Sequence, residues 1–157
     1  MSKKITSLFN FKKLQKFSSA LMLPIAILPA AGLILAIGIS FNIELLANCG
    51  GLIFANLPLL FCVGIVIGLT GDGSSSLSAI ISYMIMNATM GTQLGITAES
   101  VAASNGDYAM ILGVPTLQTG VFGGLIVAIF VYLLYTRFHN IELPQFLGRS
   151  EEHTSEL

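Results

Sequence analysis

Four stretches of this chain carry no charged side chain: residues 17–43, 45–71, 73–98 and 108–136, of 27, 27, 26 and 29 residues. Each is longer than the roughly 20 residues a helix needs to cross about 30 Å of hydrocarbon. A segment in hydrocarbon must satisfy its own backbone, and the helix does this within one strand of chain. The runs therefore predict an all-α membrane protein of about four transmembrane helices, with the charges left at the turns. Strands of a membrane barrel would alternate polar and apolar over about ten residues, and these runs do not. Composition agrees: 10% of residues are charged and 54% hydrophobic, against about 25% charged in soluble domains.

The basic residues are Lys3, Lys4, Lys12, Lys13, Lys16, Arg137 and Arg149, so every lysine falls in the first sixteen positions. This is no nucleic-acid footprint. Ile5, Leu8, Phe9, Phe11, Leu14 and Phe17 are interleaved with those lysines. Residues 1–17 thus read as a basic amphipathic helix on an anionic lipid surface, or as a solvated basic arm that only sets topology; both readings stay open. The apolar run that follows is too long for the 7–15-residue core of a signal peptide, so the segment is expected to be retained. The excess of basic residues places the N-terminus in the cytoplasm. Four crossings then return Arg137 and His139 to the cytoplasmic side and leave Glu44, Glu99 and Asp107 outside.

Within the runs, Pro24 and Pro29 each remove a backbone donor and are candidate bends. Gly64 with Gly68, and Gly120 with Gly124, stand four apart, the spacing at which small residues let helices approach closely in lipid. Gly71, Asp72 and Gly73 form a candidate turn, and Ser74, Ser75 and Ser76 offer hydroxyls to cap the helix after it. Asn56, ahead of Pro58, and Asn87 are polar groups at membrane depth that need partners. Asn87-Ala88-Thr89 matches a glycosylation acceptor by letter only, since it lies within a span. Cys49 and Cys62 have no histidine near them in sequence, so no metal or cofactor is expected, and Cys62 reads as a small buried residue. No set of nucleophile, base and acid stands at a catalytic spacing.

Several stretches together resemble one family. "LMLPIAILPAAGLILAIG", "FANLPLLFCVGIVIGL", "GDGSSSLSAIISYMIMN", "LGVPTLQTGVFGGLIV" and "RFHNIELPQFLG" are similar, in order and spacing, to the IIC membrane subunit of glucose-type phosphotransferase-system permeases, in their Gram-positive form. The resemblance implies an N-terminal fragment of a permease in the bacterial cytoplasmic membrane. The intact protein would import a sugar, glucose by this likeness, while IIA and IIB phosphocarrier domains pass it a phosphoryl group, a protein-N(pi)-phosphohistidine:sugar phosphotransferase activity. It further implies a homodimer, with residues 18–148 on the scaffold side and the sugar site beyond residue 148. The fragment alone is expected to be inactive. A membrane scaffold or regulatory protein that transports nothing, or a small secondary carrier, are the alternatives; the carrier would call for an internal repeat of broken helices.

The last nine residues, 149–157, stand apart. Arg-Ser-Glu-Glu-His-Thr-Ser-Glu-Leu is the in-order translation of a common short-read sequencing adapter, and the segment is expected to be non-native. Without it the basic count falls from 7 to 6 and the acidic from 8 to 5, so the net charge changes from -1 to +1.

Overall fold

The structure, a computed structural model, describes residues 11–139. Much of the basic N-terminal segment and all of 140–157, including the adapter-like tail, lie outside the described residues. The first uncharged run is one helix, α1 (Phe11–Ser40), continuous through Pro24 and Pro29. The second is two helices, α2 (Glu44–Ala55) and α3 (Leu57–Thr70), bent by 56° where they meet. The third forms α4 (Ser74–Gln93), and a short α5 (Ala98–Ala103) follows it. The fourth opens with an antiparallel hairpin, β1 (Tyr108–Ile111) and β2 (Val114–Leu117), before α6 (Gly120–Phe138).

The fold is mostly helical and two of the helices, α1 and α6, are long and apolar enough to cross a membrane; the bent α2–α3 pair makes a third if it is one span. At about 1.5 Å per residue, α4 also has the length to cross, but its serines, threonines and asparagine make it less apolar.

Two departures from uniform spans have local causes. At the bend, Pro58 sits in the first turn of α3 and has no N–H to return to α2. The Asn56 N–H instead bonds the Leu52 and Ile53 carbonyls, and its side-chain amide donates to Leu52 O at 2.8 Å. In the hairpin, Leu112 (φ 51°) and Gly113 (φ 80°) form the two-residue turn with both φ positive that suits the twist of paired strands. Pro115, opposite Met110, cannot donate to a ladder and keeps β2 at an edge.

Helix α3 is central. Its Cys62, Ile65, Val66 and Leu69 meet Ala20 of α1, Ala79 and Tyr83 of α4, and Val127, Ala128 and Val131 of α6 in one core. Helix α1 runs antiparallel to the α2–α3 pair: its first half lies on α3, with Ala20 at Gly68 and Pro24 at Gly64, and its second half on α2, with Leu35 at Gly50 and Gly38 at Ala47. Tyr135, near the end of α6, bonds Asp72, just after α3. The N-terminal end of α1, the α3–α4 turn and the C-terminal end of α6 therefore share one end of the bundle. Lys16, Arg137 and His139 lie there, whereas Glu44 opens α2, Glu99 lies in α5 and Asp107 precedes β1 at the other end.

Candidate functional site

The most polar junction in the bundle is the α3–α4 turn. Gly71 caps α3 in the left-handed region (φ 75°), with its N–H on Ile67 O at 2.8 Å, a conformation that favours glycine at helix ends. Asp72 then organises the start of α4. Its carboxylate accepts the Ser74 N–H at 3.0 Å, the Ser74 hydroxyl, and the Tyr135 hydroxyl from α6 at 2.5 Å. Ser75, fully buried, donates to the Asp72 carbonyl at 2.6 Å and lies 2.7 Å from the Thr70 hydroxyl. Thr70 in turn donates to Val66 O at 2.8 Å. Tyr135 meets His139 edge to face, ring centres 4.9 Å apart.

This revises the capping arrangement expected from the sequence. The serine hydroxyls act as donors to Asp72 and Gly73 oxygens, and none caps a helix amide. The carboxylate, a stronger acceptor than a hydroxyl, takes the Ser74 N–H.

Hydrogen bonds from the Ser74 side chain, then Tyr135 and the Ser74 backbone hold the Asp72 carboxyl down at about 2, from an ordinary 3.8. A carboxyl lowered on folding contributes stability that is present above the unfolded value and is lost as pH falls. The link between α3–α4 and α6 should therefore hold through neutral pH and weaken only as pH drops from about 3.8 towards 2. Tyr135→Phe is expected to raise the Asp72 value towards 3.8, followed by carboxyl-carbon NMR; a resonance still titrating near 2 would show that Ser74 alone holds the charge.

A second polar group lies inside the core, where the hairpin meets α4. Asn87 and Thr116 are buried, as is Tyr83 one turn before Asn87. The Asn87 amide donates to Tyr83 O at 2.8 Å. Its carbonyl oxygen and the hydroxyls of Tyr83, Thr116 and Thr119 have no partner among the described residues. Asn87 was visible in the sequence as a polar group needing partners. Thr116 was not, since its uncharged run suits a helix as well as a strand.

The candidate packing glycines divide. A Cβ on Gly64 would lie 2.8 Å from Pro24 Cδ, and one on Gly68 would lie 2.6 Å from Ala20 Cα. One on Gly124 would run into the Pro58 carbonyl. Gly120 is different: it starts α6 at φ 59° with open space where its side chain would be, so a backbone turn accounts for it and no helix contact does. Gly38, Gly50 and Gly91 make equally close approaches, to Ala47, Leu35 and Pro115, and sequence spacing did not pick them out. Of the two prolines, Pro24 is buried and forms the seat for Gly64, whereas Pro29 is exposed. Gly73 precedes α4 in ordinary helical conformation.

Cys62 is buried in the core and Cys49 exposed on α2, both as free thiols. Among the described residues no three His, Cys, Asp or Glu side chains gather in reach of one metal ion. Chemically, the Asp72 junction ties helix ends together; it presents an ionised acid whose carboxylate already accepts three hydrogen bonds.

Known proteins align with this chain along most of its length. A sequence profile described as "Phosphotransferase system, EIIC" matches residues 18–150. The chain is also 43% identical over 158 residues to the PTS system glucose-specific EIICBA component of Staphylococcus saprophyticus subsp. saprophyticus, an alignment that takes in 88% of this chain and 23% of that relative. The chain thus spans less than a quarter of the relative it matches.

Proposed function

The chain belongs to the phosphotransferase-system EIIC family, and on that premise we propose that it is the N-terminal, scaffold-side part of a permease that imports and phosphorylates glucose. The observation that carries this reading is the 43% identity to a protein named as a glucose-specific EIICBA component, of which the chain matches 23%. That name supports IIA and IIB domains as partners of the intact protein. The sugar site and the groups that receive phosphate then belong to parts of the polypeptide beyond residue 148, and the protein works as a homodimer in the bacterial cytoplasmic membrane.

Orientation follows from the charges. Lys16, Arg137 and His139 gather at one end of the bundle, and Glu44, Glu99 and Asp107 at the other. Basic flanks favour the cytoplasmic side, which supports a multi-pass chain with its N-terminus inside. Reporter fusions test this: one after His139 is expected to be active in the cytoplasm, and one in the Glu99 to Asp107 segment outside. The reverse pattern would overturn the orientation.

Function is tested with two forms. The full-length gene, read through the codon for Gly148, is expected to restore phosphoenolpyruvate-dependent glucose uptake to a strain lacking its own glucose permease. The 157-residue chain is expected to give neither uptake nor saturable sugar binding. Saturable glucose binding by this chain alone would place the sugar site within it and defeat the assignment.

A further inference from the structure

Along the seam between α4 and α6 runs an open groove of about 470 Å³, lined by Ser82, Ile85, Met86, Ile126, Val127 and Phe130. A second hollow of about 330 Å³ continues from the shared Ser82 to Ser78, Tyr135, Phe138 and His139. Ile85, Ile126 and Phe130 leave 59%, 66% and 59% of their surface uncovered. An apolar surface in a membrane chain can simply face lipid, so the groove must be distinguished from such a face on other grounds.

Two features do so. Ser78 and Ser82 stand one turn apart on α4 and both border the depression. Small side chains allow a neighbouring helix backbone to come close, and their hydroxyls can bond across helices, neither of which an acyl chain can exploit. The second feature is where the chain leaves. Phe138, the last residue of α6, and His139 border the lower hollow, so the polypeptide departs at the mouth of the seam. Consecutive elements are usually neighbours in space, and the nine residues from 140 to 148 can reach about 30 Å when extended.

We propose that the α4–α6 seam receives an apolar transmembrane helix from the part of the same polypeptide that follows residue 148 in the intact permease. Its side chains seat between Ile85 and Phe130, and its backbone lies close to Ser78 and Ser82. This rests on reading the chain as part of a longer permease. The same polypeptide is favoured over a second copy because it starts from the seam's own mouth. It also has ample length, since the aligned relative extends far beyond the 23% matched.

The full-length permease tests this with a photoreactive benzoyl-phenylalanine in place of Phe130 or, in a second variant, Ile126, and a protease site inserted after residue 148. After illumination in native membranes and cleavage, the N-terminal part is expected to stay shifted to the size of the uncleaved chain for both probes. A probe at Leu52, exposed on α2, is expected to return to the size of the cleaved part. A shift to twice the size of the N-terminal part would put a second copy in the seam and overturn the proposal. Return to the cleaved size at both positions, leaving the seam to lipid, would overturn it equally. Glucose uptake by the same membranes separates the two levels: uptake without an intramolecular shift defeats the seam alone, and a gene that ends at residue 148 without uptake defeats the permease reading with it.

Discussion

Gly124→Ala is expected to destabilise the folded chain by about 2–3 kcal/mol, the upper part of the range for overpacking a close-packed site. The added Cβ would run into the Pro58 carbonyl oxygen, a backbone atom that cannot rotate away as a side-chain tip can. Either α6 or the start of α3 must move, and α3 is the helix around which α1, α4 and α6 pack. Alanine has the better intrinsic helix propensity by about 1 kcal/mol, so a net loss would isolate the steric term. Gly51→Ala is the matched control. Nothing lies within 4 Å of a Cβ there, and the same change is expected to be neutral or to stabilise by up to about 1 kcal/mol. Unfolding of the purified proteins in mixed micelles of rising denaturing-detergent fraction would measure both. Equal effects at the two glycines would show that α3 and α6 do not approach at Pro58.

Gly91→Ala should act on a different part of the molecule. Its Cβ would collide with the Pro115 carbonyl, with Thr116 Cα 3.7 Å away, so the hairpin must lift from α4. We expect a loss of about 2 kcal/mol, concentrated in β1 and β2 and leaving the α1–α3 contacts in place. Lifting also opens the buried Tyr83, Asn87 and Thr116 side chains, whose polar atoms gain hydration that the closed site denies them. Hydrogen exchange is the direct readout: amides of Tyr108–Leu117 should lose protection while those of Leu57–Thr70 keep theirs. Uniform loss across both segments would mean that the hairpin and bundle open as one unit, contrary to this expectation.

How much of this was visible in the chain differs from element to element. The long helices α1, α4 and α6 follow from uncharged runs. Removing charge over more than 20 residues commits a segment to an environment where the backbone must bond itself. The bend at Asn56 left a trace, because Pro58 was present two residues on, but a proline shows only that a donor is missing and not which way the next helix goes. Pro24 and Pro29 show the limit of that signal, since α1 continues through both. The hairpin was hidden inside a run whose lack of charge suits helix and buried strand alike. Leu112-Gly113 and Pro115 were its only local marks, and leucine is an uncommon residue at a positive φ.

The candidate site was less legible than the helices. Asp72 was recognisable as a turn residue from its flanking glycines, yet its bond to Tyr135 joins positions 63 apart. Gly120 and Gly124 share the spacing of a packing pair, but only Gly124 meets another helix. Gly38 and Gly50, without a glycine at that spacing, make approaches as close, and so does Gly91, whose partner at that spacing, Gly95, has open space beside it.

From residue identities alone came that this is a membrane chain, which runs carry its long apolar helices, where the basic charge lies along it, and which family it resembles. These properties depend on the identity of each residue and its neighbours along the chain: hydropathy decides what enters hydrocarbon, and charge decides what cannot. Only the tertiary structure decided which glycine faces another backbone, which hydroxyl reaches Asp72, and that the seam between α4 and α6 lies open at the point where the chain leaves. Those depend on how helices are rotated and bent against one another. In lipid that choice is made by close packing and interhelical hydrogen bonds, terms that exist only once distant parts of the chain have met.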